Sequence, residues 1–237
     1  MNDAAPIFSL ANWKLTLPVD AAGGIIGRAL DVRDASTFRH PAFFYEGSDG
    51  GMIFHAPVKG AKTPNTEKSR CELREMHFST EAAWTLAEGG SLTGVLAMRQ
   101  VPLQKDGKPA KVCIGQIHGK SDELVRLYYE DGSLNFHNDL AGPMNRELIF
   151  PLLDREGKAP KIDLGERFKY YIHARHDALN VVASVKGHLY TSTSTINEIW
   201  QSDELFFKAG LYNGVNVDAG SGASEAEFYG LDVTHGK

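Results

Sequence analysis

Cysteine is scarce: Cys71 and Cys113 are the only two in 237 residues. Two are too few for a disulfide framework, so the fold must rest on a hydrophobic core. One bridge between them or two buried free thiols are both open. Long apolar runs are also missing. No segment approaches the ~18 residues of a membrane span. The opening Met1-Asn2-Asp3-Ala4-Ala5-Pro6 has neither a basic n-region nor an apolar h-region, so no secretory signal is read there. A secreted or periplasmic mature chain is the favoured expectation, with a cytoplasmic protein the alternative. Positive charge is not in surplus. With 25 Lys and Arg against 30 Asp and Glu, the net charge is −5, which argues against nucleic acid as partner. It counts mildly against a polyanionic substrate as well, although a cleft can be locally positive on an acidic protein.

Helical patterning is the last scarcity. Only Ser79 to Ala83 and Ile196 to Trp200 read as a helical turn or two. Period-two segments dominate instead. Trp13 to Leu17, Gly51 to Ala56, Arg70 to Phe78, Ser91 to Val101 and Lys111 to His118 read as strands. So do Leu124 to Glu130 and Ser133 to His137, joined at Asp131-Gly132. Phe168 to His176, Leu179 to Val185 and His188 to Thr193 read as a meander with turns at Asp177-Ala178 and Lys186-Gly187. Leu205 to Tyr212 and Glu225 to Thr234 complete the set. Many short strands between turn residues indicate an all-β sandwich of jelly-roll style, two curved antiparallel sheets. With no internal repeat or linker, residues 1–237 are expected to form one domain. Asn138 to Arg146 and Pro151 to Asp163 are long connections of the kind that border binding clefts.

Three segments carry polar groups where a sandwich strand should be quiet. In Arg70-Cys71-Glu72-Leu73-Arg74, residues two apart share a face, so Arg70, Glu72 and Arg74 project together. Glu72 can hold the two guanidinium forks, whose geometry suits bidentate capture of a sugar carboxylate. An isolated R-x-E-x-R is more often a solvated salt ladder. Gln116-Ile117-His118 puts Gln116 and His118 on one face after the apolar Val112 to Gly115; alone, a satisfied structural His is the commoner case. In Phe206 to Tyr212, the residues Phe206, Lys208, Gly210 and Tyr212 share a face, and Gly210 signals close approach of a ligand or backbone. A core tyrosine beside an exposed lysine is the bland alternative.

Together the three segments supply what β-elimination from a uronate requires. Cations and an amide favour the charge that develops on the carboxylate as the C5 proton leaves, and losing one such donor typically costs ~10²–10³ in rate. A base must take that proton and an acid must protonate the departing O4, each contributing on the order of 10²–10⁴. His118 and Tyr212 can fill those roles with no metal or cofactor.

At this point the chain resembles the alginate lyases of polysaccharide lyase family seven, nearly end to end. Asn12 to Pro18 is similar to the family's first strand, and Ala56-Pro57-Val58 through Thr63-Pro64-Asn65 to the loop before its arginine strand. Ser69 to Met76 resembles the R-(S/T)-E-L-R-E-M block, with Cys71 in place of Ser or Thr. Gln116-Ile117-His118 resembles Q-(I/V)-H. Phe206 to Asn213 resembles Y-F-K-A-G-x-Y-N, with Phe206 replacing Tyr and Gly214 replacing a usual Gln, and Phe228 to Val233 is similar to the final strand. The resemblance implies a jelly roll whose concave sheet binds an acidic polysaccharide, alginate, as a monomer. It implies catalytic Arg70, Gln116, His118 and Tyr212, with Glu72, Arg74, Lys208, Asn213 and Lys120 binding substrate. Arg70 or Arg74 with Gln116 would neutralise the carboxylate. Tyr212 would protonate O4, and His118 or Tyr212 would take the C5 proton according to the epimer. Ile117 goes in the family with acceptance of guluronate-containing substrate.

Two other classes compete. A non-catalytic carbohydrate-binding jelly roll has no use for a His/Tyr acid–base pair. A glycoside hydrolase needs two carboxylates flanking the bond, and no E-x-D-x-x-E strand is present. A lyase for another polyuronate, such as glucuronan, shares all of these residues.

Overall fold

A computed structural model describes residues 9–236; Met1 to Pro6, read above as lacking a secretory signal, lie outside the described residues. The alternating segments form two antiparallel sheets packed face to face. The first runs, in spatial order, through Leu148–Pro151, Ser133–Asn138, Glu123–Glu130, Val112–His118, Phe206–Asn213, Arg70–His77, Trp13–Leu17 and Leu30–Val32. The second runs through His188–Thr195, Ala178–Val185, Arg167–Arg175, Gly90–Gln100, Ala223–His235, Met52–Pro57 and Phe44–Glu46. This is the jelly-roll sandwich that the strand pattern predicts. Asp131-Gly132 and Lys186-Gly187 both take positive φ at two successive residues, the type I′ geometry that matches strand twist.

Parity sorts the side chains. Leu15, Leu17, Leu73, Ile114, Ile117, Phe207 and Leu211 from the first sheet meet Phe54, Leu92, Leu96, Tyr170, Ile172 and Phe228 from the second. Tyr170 crosses the interface to donate to the Ile114 carbonyl at 3.1 Å. Gly94 leaves room for it, since a Cβ there would stand within 2.5 Å of two ring carbons. Strict alternation breaks once in Val112–His118. Its register shifts against both neighbouring strands, so Val112, Ile114 and Ile117 can all reach the core.

Several expectations need correction. Ser79 to Ala83 is no helical turn: Thr80–Glu81 pairs back on Met76 and His77 as a tight hairpin. The short edge strands Leu30–Val32, Phe44–Glu46 and Leu148–Pro151 are too brief to show a period, and pairing with a long neighbour makes them strands. The meander turn falls at His176-Asp177, with Ala178 already paired to Arg175.

Cys71 and Cys113 are free and buried. They sit on the two strands flanking Phe206–Asn213, opposite Leu211 and Tyr212. Strands two places apart are separated by about 9–10 Å, beyond disulfide reach. Burial pushes both thiols up, so neither is a reactive thiolate. Thiol reagents are therefore expected to label neither cysteine until denaturant is added, and reductant to leave the melting temperature unchanged. A melting point lowered by reductant would reveal a bridge.

Candidate active site

Register turns the three polar segments into one surface. Lys14 stands opposite Arg74, Arg74 opposite Lys208, Lys208 opposite Gln116, and Gln116 opposite Arg126. A single row thus crosses five strands of the first sheet. On one side of it Phe206 pairs with His118, and on the other Tyr212 pairs with Arg70. The strands supply the residues at period two, and antiparallel pairing aligns them.

Glu72 sits at the centre, 3% exposed. Arg70 donates to it at 2.8 Å, Lys208 lies 3.5 Å away, and the Gln116 amide donates to its other oxygen. Burial would raise its carboxyl, but Lys208, Arg70 and the Gln116 amide together pull it below the ordinary range. Burial also lowers Lys208. Gly210 makes this packing feasible. Its φ is +130°, and a Cβ there would stand 2.7 Å from the Cys71 carbonyl and 3.0 Å from Glu72 Cα. The close approach that its position predicts is thus to the neighbouring backbone, and Glu72 lies directly against it. Arg74 is braced separately, by Glu81 at 2.7 Å and by the Phe206 ring 3.7 Å from its guanidinium carbon. Arg70 Nε, Arg74 Nε and Gln116 Oε1 are among twelve buried side-chain polar atoms of the described residues that have no hydrogen-bond partner.

His118 stacks on Phe206, ring centroids 5.0 Å apart. Its Nδ1 lies 2.6 Å from the Gly119 carbonyl, which can only accept, so Nδ1 carries the hydrogen and Nε2 is left as the base atom. Burial, and then the Lys208 charge, push His118 down to about 4, so it is a neutral imidazole at neutral pH. Tyr212 Oη lies 2.6 Å from Thr66 Oγ1, and the Arg70 guanidinium carbon lies 4.0 Å from the Tyr212 ring centroid. The Lys68 backbone N–H donates to the same Thr66 oxygen, which fixes that hydroxyl against the phenol.

These groups line one cleft of about 830 Å³. Arg70, Arg74, His118, Lys120, Lys208 and Tyr212 reach it, while Gln116 and Glu72 form the floor beneath. Asn213 does not. It is 1% exposed and ties Ala56, Ser69 and Ser224 together on the opposite face, so its role is structural. The lining loops are Thr63 to Thr66 and Gly119 to Ser121. Of the long connections expected to border the cleft, neither Asn138 to Arg146 nor Pro151 to Asp163 contributes to this lining; Asp139 stands behind it, accepting from the Glu123 backbone N–H. Sequence reading also passed over Lys14, Thr16 and Glu123. Lys14 and Thr16 alternate on their strand and were legible by parity; Glu123 had no such signal.

Charge in the cleft is nearly balanced, five cations against four carboxylates. Lys14, Arg70, Arg74, Lys120 and Lys208 face Asp31, Glu81, Glu123 and Glu204 along the lining. Anion binding here thus relies on donors held in place by carboxylates more than on a broad positive field. Among the described residues, no group of three or more His, Cys, Asp or Glu is placed to hold a metal.

Known proteins resemble this chain in sequence and fold. A family model described as alginate lyase matches residues 8–235. An alginate lyase from Klebsiella pneumoniae is 32% identical over 97% of this chain and 90% of its own length. The crystal structure of the alginate lyase from Klebsiella pneumoniae superposes with a TM-score of 0.83 at 28% identity, covering 97% of each chain. Alginate lyase AlgAT5 of polysaccharide lyase family 7 gives 0.76 at 27%, over 97% of this chain and 96% of its own. The chain belongs to the alginate lyase family, polysaccharide lyase family seven, and is a polysaccharide lyase.

Proposed function

We propose that this lyase cleaves the 1,4-glycosidic bonds of alginate by β-elimination, acting within chains and modestly favouring guluronate-containing blocks. The observation that carries the reading is the meeting, in one cleft, of a neutral imidazole, a phenol and carboxylate-braced cations. Arg70, with the Gln116 amide at the floor, binds the uronate carboxylate and stabilises the charge that develops as C5 loses its proton. His118 Nε2 or Tyr212 takes that proton, according to which face of the sugar presents it. The C5–H electrons form the C4–C5 double bond, the C4–O4 bond breaks, and Tyr212 protonates O4. The new non-reducing end is a 4,5-unsaturated uronate. Glu72 holds Arg70, Lys208 and Gln116 in place, and Arg74, Lys120 and Lys208 contact the chain on either side. The alginate lyase of Klebsiella pneumoniae, similar over nearly the whole length, supports alginate as the polymer.

The test is incubation with polymannuronate, polyguluronate and mixed alginate, following ultraviolet absorbance of the unsaturated product. Absorbance should rise, fastest on guluronate-containing polymer, and chelator should leave the rate unchanged. Early products of mixed length would support endolytic action. A folded protein silent on all three polymers would sink the proposal.

A further inference from the structure

The fold places a carboxylate beside the proposed base that none of the three polar segments contains. Glu123 opens the strand next to Val112–His118, and register sets it opposite His118. Its Oε1 lies 3.5 Å from His118 Nε2. Because Nδ1 is committed to the Gly119 carbonyl, the nitrogen that must accept a proton is the one facing Glu123. We propose that Glu123 is a positioning residue for elimination: its carboxylate stabilises, and in that state orients, the imidazolium formed when His118 Nε2 takes the C5 proton. This rests on the reading of His118 as base.

The surroundings say when that carboxylate is ionised. Arg126, on the same strand, approaches Glu123 Oε2 at 3.9 Å, but its Nη2 donates to both Asp139 and Glu147. One guanidinium therefore serves three carboxylates, and Glu123 receives the longest contact. Asp139, from the connection after Ser133–Asn138, accepts the Glu123 backbone N–H at 3.0 Å. Lys208 faces Glu123 from beyond the His118 strand. Burial, then Asp139, push Glu123 up to about 7, while burial and Lys208 push His118 down to about 4. Of this pair, Glu123 is thus the one placed nearer neutrality. As pH falls through about 7 the carboxylate is neutralised and the imidazolium loses its counter-charge, so turnover by the His118 route falls on the acid side.

The experiment compares Glu123→Gln, Glu123→Asp and His118→Ala with wild type, measuring kcat and KM against pH on polyguluronate and polymannuronate. On the polymer whose proton His118 takes, Glu123→Gln should lower kcat on the order of 10-fold, part of what a general base contributes. KM should change by less than about 2-fold, the sign of a group acting in the transition state. The acid limb near neutrality should vanish in Glu123→Gln and persist, shifted, in Glu123→Asp, with kcat partly recovered. Wild-type kcat with an intact acid limb in Glu123→Gln, or a loss confined to KM, would overturn the proposal. Should Glu123→Gln not fold, Glu123→Asp decides by whether its acid limb moves. His118→Ala separates the two readings: full turnover there on both polymers refutes His118 as base. Lost turnover with a silent Glu123→Gln refutes only the role of Glu123.

Discussion

Tyr212→Phe is expected to fold normally and lose nearly all activity on every alginate block, by ~10³ or more, the scale of an acid–base group used in the chemical step. The substitution removes one oxygen. The ring keeps its place beneath the Arg70 guanidinium, and the strand keeps its pairing with Arg70. What is lost in the fold is the bond to Thr66, and a single partly buried hydroxyl pair contributes about 1 kcal/mol. For a chain of this size that lowers the melting temperature by ~2–4 °C. Loss of unsaturated product with a nearly unchanged thermal melt would support the assignment. Substantial turnover would refute it, because no other phenol among the described residues lines the cleft.

The second large effect concerns Glu72, which no substrate needs to touch. Glu72→Gln keeps the shape and removes the charge, leaving Arg70 and Lys208 confined with no anion between them. Breaking a buried pair in this way costs about 3–5 kcal/mol, which lowers the melting temperature on the order of 10 °C. Activity should fall as well, since displacing reacting groups by ~1 Å can cost 10²-fold. The pH dependence carries a definite sign. Glu72 is held below the ordinary carboxylate range, so its stabilisation is fully present above the unfolded carboxyl value and is lost as pH falls through the lower folded one. The gap in melting temperature between wild type and Glu72→Gln should be constant at neutral pH and close only in strong acid. Adding Lys208→Met to Glu72→Gln should recover stability without recovering turnover. A Glu72→Gln protein that melts within ~2 °C of wild type would show that the cluster is not under electrostatic load.

Much of this was legible in the chain. The alternation of Arg70, Glu72 and Arg74, and of Gln116 with His118, needs only the period of a strand, and the structure turns these side chains to one face as the period requires. Asn213 shows where that reasoning fails. It continues the Lys208–Tyr212 segment, yet it lies one step out of phase with Tyr212 and is buried among Ala56, Ser69 and Ser224. Proximity to a motif suggested the cleft, whereas parity alone would have assigned it to the opposite face. The cleft that could have been locally positive on an acidic protein is only marginally so, with five cations against four carboxylates along its lining. Lys14, Arg70, Arg74 and Lys208 each have a carboxylate within 4 Å, and that pairing can be counted only once the lining is known.

The sequence by itself determined the sandwich, the face on which each candidate side chain lies and the chemical kit those faces present. These follow from the two-residue period, which every strand expresses locally. Only the tertiary structure decided which residue meets which. Register aligned Lys14, Arg74, Lys208, Gln116 and Arg126 into one row. A contact spanning 146 positions put Thr66 on the Tyr212 hydroxyl, and strand pairing brought Glu123 to His118 Nε2. Those choices depend on how distant strands pair and shift past one another, and no local pattern encodes that. The protonation states follow from them, because burial and neighbouring charge exist only in the folded chain.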